Sequence, residues 1–379
     1  MTDQTKANLT KDSITVQSPG RINIIGEHTD YNDGFVFPAA VDKMVKVHMK
    51  RNGSEQTANI KADNFNETHT MDLHRFSPIA PGWQNYVMGV ISELQKLGAN
   101  IKGFDASFSG DVPLGGGMSS SAALECSFAL ALNELFDLGL SKDQMIKASQ
   151  MAEHHFVGTK CGIMDQFASM MGKKDQVILL DCRTLEYQYF PLELGEYQLL
   201  LLNTNVSHSL ASSEYNTRSA ECETGVAHLK KIYPGIKNLR DISLQQLEDN
   251  KSALEEIIFR RCHHVVSENE RVLRAAEAMQ QGDHKLLGEL IYQSHFSLQH
   301  DYEVSCPELD FLVKQTLDKD YVLGSRMMGG GFGGCTISIL RKDKLDSFTQ
   351  WIAKSYHDKF GIEVTPISVS IGDGTKAIY

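Results

Sequence analysis

Apolar residues recur along the chain at two spacings, one typical of strands and one typical of helices. In the first half, short β-type runs alternate with amphipathic stretches, and apolar residues return every three to four positions between 119 and 136. A Ser-x-x-Gln capping box at 141–144 marks the start of a further helix. The elements predicted for this half are strands at 14–16, 22–25, 45–49 and 177–180, and helices at 83–97, 119–136, 141–157 and 163–171.

From about residue 205 the pattern changes to longer amphipathic helices, and β-type runs return only near the end. The elements predicted here are helices at 209–232, 254–281, 284–299 and 307–317, and strands at 336–340 and 364–371. Helices and strands mix without an internal repeat, and a typical domain has about 150 residues. The 379 residues therefore predict an α+β protein of two domains, residues 1–190 and 191–379.

Charge and composition exclude several classes of function. The 48 Asp and Glu residues outnumber the 37 Lys and Arg residues, and a net charge of −11 does not attract nucleic acid or anionic lipid. The sequence shows no signal-peptide pattern and no apolar run long enough to span a membrane. The seven cysteines suggest neither a disulfide framework nor a C-x-x-C zinc pattern. We expect a cytoplasmic protein that binds no nucleic acid and no membrane.

A glycine-rich segment at 113–122 is the strongest candidate for binding phosphate. Glycines let backbone N–H groups approach an anion, and the helix that follows presents its unpaired donors. Three serine hydroxyls at the helix start can add hydrogen bonds or a magnesium ligand. No Walker G-x-x-x-x-G-K-[ST] motif occurs, and the alternative interpretation is a turn with serine capping. The candidate residues are Gly115, Gly116, Gly117, Met118, Ser119, Ser120 and Ser121.

A second segment, 20–34, runs from an apolar strand directly into a cluster of polar side chains. Carboxylates accept hydrogen bonds and an imidazole can donate or accept, so Glu27, His28 and Asp30 could bind several hydroxyls of a sugar. The alternative is a solvated turn rich in Asn, Asp and Gly.

The third glycine-rich segment, 327–336, contains G-x-G-x-x-G. A dinucleotide-binding turn must open a helix, whereas a β-type run follows this one, and we therefore reject a dehydrogenase. The segment either presses its backbone against another loop or a ligand, or forms a structural hairpin.

Two acidic residues are ambiguous on local evidence. Asp165 lies in the first turn of a short predicted helix, where an acid is favoured by the helix dipole whether or not it is a catalytic base. Glu153, on the preceding helix, is either a solvated charge or a metal ligand.

Taken together, these segments resemble the GHMP small-molecule kinases, and the run 20–34 is similar to the signature of the galactokinases in that family. All three motifs occur in order, and the resemblance extends to Trp83–Val87 and Ala152–His155, so it covers essentially the whole chain. It implies an N-terminal domain like domain 2 of ribosomal protein S5 and a C-terminal ferredoxin-like domain, with the active site in the cleft between them.

The implied activity is ATP-dependent phosphorylation of D-galactose at its C1 hydroxyl, the first committed step of galactose catabolism, with ATP and Mg²⁺. By resemblance, Asp165 is the catalytic base and Arg21 stabilises the transition state of a direct in-line transfer. The implied galactose ligands are Glu27, His28, Thr29, Asp30, Gly162, Asp165 and Tyr215. The implied nucleotide ligands are the loop 115–121 with Trp83 and Tyr86, and the implied magnesium ligands are Ser121 and Glu153.

The sequence departs from the usual family pattern at three positions. Met328 replaces a common Thr, which removes a hydroxyl near the expected site, and Gly116 and Met118 replace the frequent Ala and Leu. The alternatives to a monomeric galactose kinase are a kinase of a related sugar such as N-acetylgalactosamine, or a non-catalytic sensor of galactose and ATP.

Overall fold

The computed structural model describes residues 12–207 and 211–378, and it contains mixed helix and strand throughout. The strands are β1 Ser13–Asn23, β2 Phe35–Val36, β3 Pro38–Arg51, β4 Thr57–Ala62, β5 Glu67–Asp72, β6 Phe104–Gly110, β7 Gln176–Asp181, β8 Tyr187–Pro191, β9 Tyr197–Ser207, β10 Val322–Met327, β11 Gly333–Arg341, β12 Thr365–Ser368 and β13 Lys376–Ile378. The α-helices are α1 Trp83–Lys96, α2 Ser120–Leu135, α3 Lys142–Ala152, α4 Met164–Met171, α5 Ala211–Leu229, α6 Leu244–Asp249, α7 Glu256–Gln281, α8 His284–Ser297, α9 Pro307–Lys314 and α10 Leu345–Phe360.

The first large sheet has six strands in the order β13-β1-β3-β6-β4-β5. The β4–β6 pair is parallel and the other pairs are antiparallel. Helix α2 packs against β1 and β3 and contacts α1, α3 and α4. Buried apolar side chains of these elements, such as Val47, Phe104 and Phe128, form one continuous core.

Strand β1 is longer than the sequence predicts and corrects the expectation of two separate strands. The predicted run at 14–16 and the first half of the run at 22–25 belong to one strand, which ends at Asn23, and its pairing register with β3 shifts between Pro19 and Arg21. A Cβ atom at Gly20 would lie 2.7 Å from the Met118 carbonyl oxygen, so the strand runs close beneath the segment that precedes α2. Arg21 is thereby fixed on a buried strand next to that segment.

A second sheet, in the order β10-β11-β9-β12, lies in the other half of the chain, and a small sheet β2-β7-β8 completes the architecture. Helix α8 contacts β10 closely, since a Cβ atom at Gly288 would lie 2.1 Å from the Leu323 carbonyl oxygen. Strand β13 pairs with β1, so the end of the chain returns to the first sheet. The α+β class is confirmed, and the division near residue 190 remains a prediction.

Most long elements lie where the sequence predicts them, but several boundaries differ. The capping box at Ser141 and Gln144 is present, and the helix predicted over 141–157 is α3 followed by a π-helical turn, Glu153–Val157. The predicted start of the helix at 209 lies outside the described residues. The sequence patterns do not predict strands β2, β4, β5, β6, β8, β9, β10 and β13 or helices α6 and α10. No helix in the described part of the chain is long and apolar enough to cross a membrane.

Candidate active site

A cavity of about 210 Å³ brings together residues that are far apart in the sequence. Its walls come from the end of β1 and the loop after it, the loop before α2 and the first turn of α2, the segment after α3, the start of α4, α5 and the third glycine-rich segment. The predicted site residues that line it are Arg21, Glu27, His28, Asp30, Gly117, Ser119, Ser121, Glu153, Asp165 and Tyr215.

Arg21 and Asp165 form a two-pronged ion pair at this cavity. The Arg21 Nε and Nη2 atoms donate to the two carboxylate oxygens of Asp165 at 2.7 and 2.9 Å, and Nη1 donates to the Gly117 carbonyl oxygen. Arg21 is buried, whereas the Asp165 side chain keeps 26% of its surface exposed. Burial lowers the pKa of the Arg21 guanidinium, but Asp165 and the neighbouring carboxylates outweigh that effect and raise it. The cation is therefore permanently charged beside Asp165.

Ser119 contributes a third hydrogen bond to Asp165. It begins α2 in the left-handed conformation, with φ of 56°, and its side chain caps no helix N–H group. Instead its hydroxyl donates to Asp165 Oδ2 at 2.5 Å. The interpretation of this segment as a turn with serine capping is therefore not supported at Ser119.

The phosphate-binding candidate and the third glycine-rich segment touch through their backbones. A Cβ atom at Gly117, where φ is +68°, would lie 2.8 Å from the Met328 carbonyl oxygen, and one at Gly329 would lie 3.1 Å from the Gly117 Cα. The third segment is the connection between antiparallel strands β10 and β11. It is both a hairpin and a backbone contact, and the strand that follows it confirms that it is not a dinucleotide-binding turn.

Met118 and Met328, two of the departures from the family pattern, do not face the cavity. Both side chains are fully buried in the core of the first sheet and its helices. The Met118 carbonyl accepts from the Arg21 N–H at 3.0 Å, and the Met328 N–H donates to the Cys335 carbonyl at 2.9 Å. Both positions contribute backbone to the site. The Met328 side chain, which replaces a common Thr of the family, packs in the core instead.

Glu27 is held by a residue that the sequence analysis missed. Arg326, on β10, donates through Nη1 and Nη2 to Glu27 Oε1 at 3.0 Å each, and the Gly329 N–H donates to the same oxygen at 2.9 Å. The only signal for Arg326 in the sequence is a charged residue within an otherwise small and apolar strand.

His28, Asp30 and Tyr215 form the opposite side of the cavity. His28 Nε2 lies 3.2 Å from the Gly330 carbonyl oxygen and Nδ1 lies 2.8 Å from the Tyr31 hydroxyl, so both ring nitrogens have partners. Burial lowers the pKa of His28 to about 3, which makes the ring neutral. Burial, together with the nearby Asp165, raises the pKa of Asp30 to about 7, and burial raises the pKa of Tyr215 well above its usual value.

Two predicted sugar ligands do not line this cavity. Gly162 lies behind Asp30, and a Cβ atom there would be 2.1 Å from the Asp30 carboxyl carbon, so its lack of a side chain makes room for the carboxylate. Thr29 is fully buried, and its hydroxyl donates to the carbonyl oxygens of Gly26 and Phe35 at 3.0 and 2.7 Å.

Ser121 and Glu153 meet at the cavity wall, and their side chains hydrogen-bond each other. Glu153 is buried, and burial raises its pKa to about 7 despite that hydrogen bond. A hydroxyl and a carboxylate are hard oxygen donors that suit Mg²⁺, which usually takes one or two protein oxygens and completes its shell with phosphates and water. The described residues contain no cluster of three or more His, Cys, Asp or Glu side chains that could hold a metal. These two residues fit a metal shared with a phosphate, not a site built from protein alone.

A second cavity, of about 350 Å³, adjoins the first at Ser121. Trp83, Tyr86 and Ser120 line it, together with apolar side chains of β6 and α2. The Trp83 indole donates to Glu67 at 2.7 Å and packs edge-on against Phe108. A largely apolar pocket beside a glycine-rich loop suits the flat base of a nucleotide.

Three segments of the chain match models of one protein family. Residues 85–173 match the GHMP kinases N terminal domain and residues 275–357 match the GHMP kinases C terminal domain. Residues 6–51 match the galactokinase galactose-binding signature, which includes Arg21 and the loop after β1.

Full-length proteins are also similar to this chain. The galactokinase of Thermotoga maritima is 42% identical over 365 residues, which covers 96% of this chain and 100% of that protein. The crystal structure of Lactococcus lactis galactokinase complexed with galactose matches with a TM-score of 0.93 and 34% identity, over 97% of this chain and 96% of that one. The Methanococcus jannaschii mevalonate kinase, at 17% identity, shares the fold with a TM-score of 0.66 over 95% of this chain and 98% of that one.

The carboxyl groups of this cavity predict how stability depends on pH. With folded-state pKa values of about 7 for Asp30 and Glu153, and values near 4 in an unfolded chain, the folded protein binds more protons than the unfolded one between those limits. The stabilisation is complete below the unfolded pKa and is lost as the pH rises through about 7. We therefore expect the free energy of unfolding of the ligand-free protein to fall over this range, and Glu153→Gln to flatten the fall.

Urea unfolding at several pH values from about 5 to about 8 measures this effect. Glu289→Gln, which removes an exposed carboxylate on α8, should follow the wild type. A pH dependence that is equal in the wild type, Asp30→Asn and Glu153→Gln would contradict the prediction.

Proposed function

The chain belongs to the GHMP kinase family, among its galactokinases, and we propose that it transfers the γ-phosphoryl group of ATP to the C1 hydroxyl of D-galactose. The products are galactose 1-phosphate and ADP. Membership of the galactokinases makes the protein a sugar kinase with the GHMP kinase fold. The observation that carries the proposed reaction is the Arg21–Asp165 ion pair, which lies at one cavity between polar side chains and a glycine-rich helix start.

We assign Asp165 the role of general base. A carboxylate has about four acceptor positions, and here Oδ2 accepts from Arg21 and Ser119, whereas Oδ1 accepts from Arg21 Nε alone among the described residues. Oδ1 therefore keeps an acceptor position for the proton of the sugar hydroxyl. As that O–H bond breaks, the hydroxyl oxygen forms a bond to the γ-phosphorus, and the bond from that phosphorus to the β–γ bridging oxygen breaks, which releases ADP.

Arg21 is the proposed transition-state stabiliser. Each of its terminal nitrogens carries two N–H groups, and the contacts to Asp165 and Gly117 use one on each. One N–H on Nη1 and one on Nη2 remain for oxygen atoms of the transferred group. The same guanidinium places a positive charge directly against both oxygens of the Asp165 carboxylate.

The sugar hydroxyls are proposed to bind Glu27, Asp30 and Tyr215, which line the cavity. His28 is also assigned to this site, where a hydroxyl would replace Gly330 or Tyr31 as a partner of its ring. Gly162 contributes backbone and leaves space for Asp30. The Thr29 hydroxyl holds the loop in shape by donating to the Gly26 and Phe35 carbonyl oxygens, so its role is indirect.

The phosphates of ATP are proposed to lie on the loop 115–121, with the adenine beside Trp83 and Tyr86 in the adjoining cavity. Ser121 and Glu153 would hold Mg²⁺, which supplies positive charge to the phosphates when it is bound. All seven cysteines are unpaired, which supports the proposal that the enzyme works in a reducing cytoplasm. We propose that it acts as a monomer.

An assay of ADP release with Mg²⁺ across a panel of hexoses tests the reaction. Galactose should give the highest ratio of kcat to KM, and N-acetylgalactosamine and glucose should give lower ratios. Preferred turnover of N-acetylgalactosamine would replace the proposed substrate. Galactose binding without any ADP release would instead favour a sensor.

Asp165→Asn should lower kcat by about 10²- to 10⁴-fold, the range of a lost general base, with galactose affinity largely retained. The amide keeps the shape of the side chain, but it has one acceptor oxygen instead of two and cannot take the proton. Asp143→Asn is a matched control, because Asp143 occupies the first turn of α3 as Asp165 does of α4. Near wild-type turnover by folded Asp165→Asn would leave Asp165 as a partner of the helix dipole.

Glu153→Gln should need more Mg²⁺ for half-maximal activity than Ser121→Ala does. Glu153 is the charged member of the proposed pair, so its loss removes more of the attraction for the cation. High Mg²⁺ should restore part of the activity, and calorimetry of ATP binding with and without Mg²⁺ gives a readout besides turnover. Glu93→Gln is the control, because Glu93 is buried and ion-paired away from the cavity. An unchanged Mg²⁺ dependence in Glu153→Gln would remove Glu153 from the site.

A further inference from the structure

We propose that Arg326 is a positioning residue for the sugar, because it fixes the Glu27 carboxylate so that one oxygen is left to accept a galactose hydroxyl. The inference rests on the proposed function, in which Glu27 is a galactose ligand. Arg326 itself does not line the cavity.

Arg326 is fully buried, and all three nitrogens of its guanidinium have acceptors. Nε donates to the Ile24 carbonyl oxygen at 2.9 Å, and the terminal nitrogens donate to Glu27 Oε1 at 3.0 Å each. The terminal nitrogens also donate to the carbonyl oxygens of Asn23 and Met327. A planar guanidinium with this many partners has one orientation, and it imposes that orientation on the carboxylate.

The two oxygens of Glu27 are used very differently. Oε1 accepts three N–H groups, two from Arg326 and one from Gly329 at 2.9 Å. Oε2 accepts no hydrogen bond from the part of the chain that the structure describes, although the side chain lines the cavity of about 210 Å³. A carboxylate oxygen without a partner on a buried side chain at a cavity wall is a strong acceptor for one sugar hydroxyl. Rotation of the carboxylate would break all three bonds to Oε1, so Arg326 determines where that acceptor lies.

The same guanidinium joins two segments about 300 residues apart in the sequence. Asn23 and Ile24 lie at the end of β1, whereas Met327 ends β10 and leads into the loop that touches Gly117. Arg326 therefore fixes the sugar-binding end of β1 relative to the hairpin. Because its direct carboxylate partner is Glu27, its loss should weaken galactose binding more than ATP binding.

Arg326→Lys tests the proposal, because the ammonium keeps the buried charge but not the planar fork. We expect the dissociation constant for galactose, measured by calorimetry without nucleotide, to rise about tenfold, the effect of one lost hydrogen bond to a charged group. The affinity for ATP should change by less than about twofold. Arg261→Lys is the matched control, since Arg261 is 1% exposed and pairs with Glu221 and Glu303 away from this cavity.

A double-mutant cycle distinguishes positioning from general support of the fold. In a Glu27→Gln background, Arg326→Lys should change galactose affinity by less than about twofold, because the effect passes through the Glu27 carboxylate. A set of singly deoxygenated galactoses should contain one member that binds the wild type and Arg326→Lys equally. If Arg326→Lys does not fold, Glu27→Asp, which shortens the acceptor arm and leaves the guanidinium in place, is compared with the wild type on the same sugars.

Each outcome has a defined meaning. If Arg326→Lys lowers galactose affinity equally in the wild-type and Glu27→Gln backgrounds, or leaves it unchanged, the inference is overturned and the proposed function stays intact. A wild-type protein that binds no galactose would overturn the proposed function and this inference with it.

Discussion

The ion pair between Arg21 and Asp165 is the interaction on which the arrangement of the site depends. Among the described residues that line the cavity of about 210 Å³, Arg21 is the only Lys or Arg side chain. Four lining residues are acidic, namely Glu27, Asp30, Glu153 and Asp165. Its bidentate contact is made to Asp165, while burial, with the negative charge of Asp165 added, raises the pKa values of Asp30 and Glu153 to about 7. The cavity therefore holds more acidic side chains than cationic ones. A cation brought with the nucleotide would relieve that imbalance at Glu153. The proposed magnesium ion would supply positive charge of this kind.

The contact between the two glycine-rich loops explains why a motif alone was a poor guide to their function. Gly117 and Gly329 approach so closely that a side chain at either position would meet the opposite backbone. The glycines of the third segment therefore serve backbone packing within a hairpin, and the G-x-G-x-x-G spacing is a by-product. The sequence does indicate which type of element follows the motif, because apolar residues recur with different periods in a β-type run and in a helix.

Sequence patterns predicted most of the long helices, but a one-sided apolar period was not sufficient for an element to be recognised. Helices α2 and α7 lie close to their predicted bounds, but β5 is mostly exposed and offers no apolar alternation. Helix α10 was missed although Phe348, Ile352 and Tyr356 recur every four residues and are buried. For the site, resemblance indicated Asp165 and Arg21, and the structure brings them together. Arg326 could not be found in this way, because its contacts depend on a tertiary approach between β10 and the end of β1.

The many polar residues after β1 do more than line a cavity, because some of them hold the loop itself in place. Within this segment Thr29 and Asn32 direct their side chains to backbone oxygens of the loop itself, whereas Glu27, His28 and Asp30 line the cavity. The loop is also held from outside by α7, whose side chains supply the partners that its backbone lacks. Glu268 accepts from the Gly26 N–H at 2.9 Å, and Asn269 accepts from the Phe35 N–H at 2.8 Å. His264 Nε2 lies 3.1 Å from the Glu27 carbonyl oxygen.

Neighbouring turns of one helix therefore fix the loop by its main chain, which leaves the lining side chains free to face the cavity. A buried loop must satisfy its backbone groups somewhere, and here a helix more than 220 residues later does so. The segment most typical of the family consequently depends on residues that lie outside its own motif. Its side chains line the cavity, and contacts from α7 and Arg326 hold the backbone and the Glu27 carboxylate from which that lining is built.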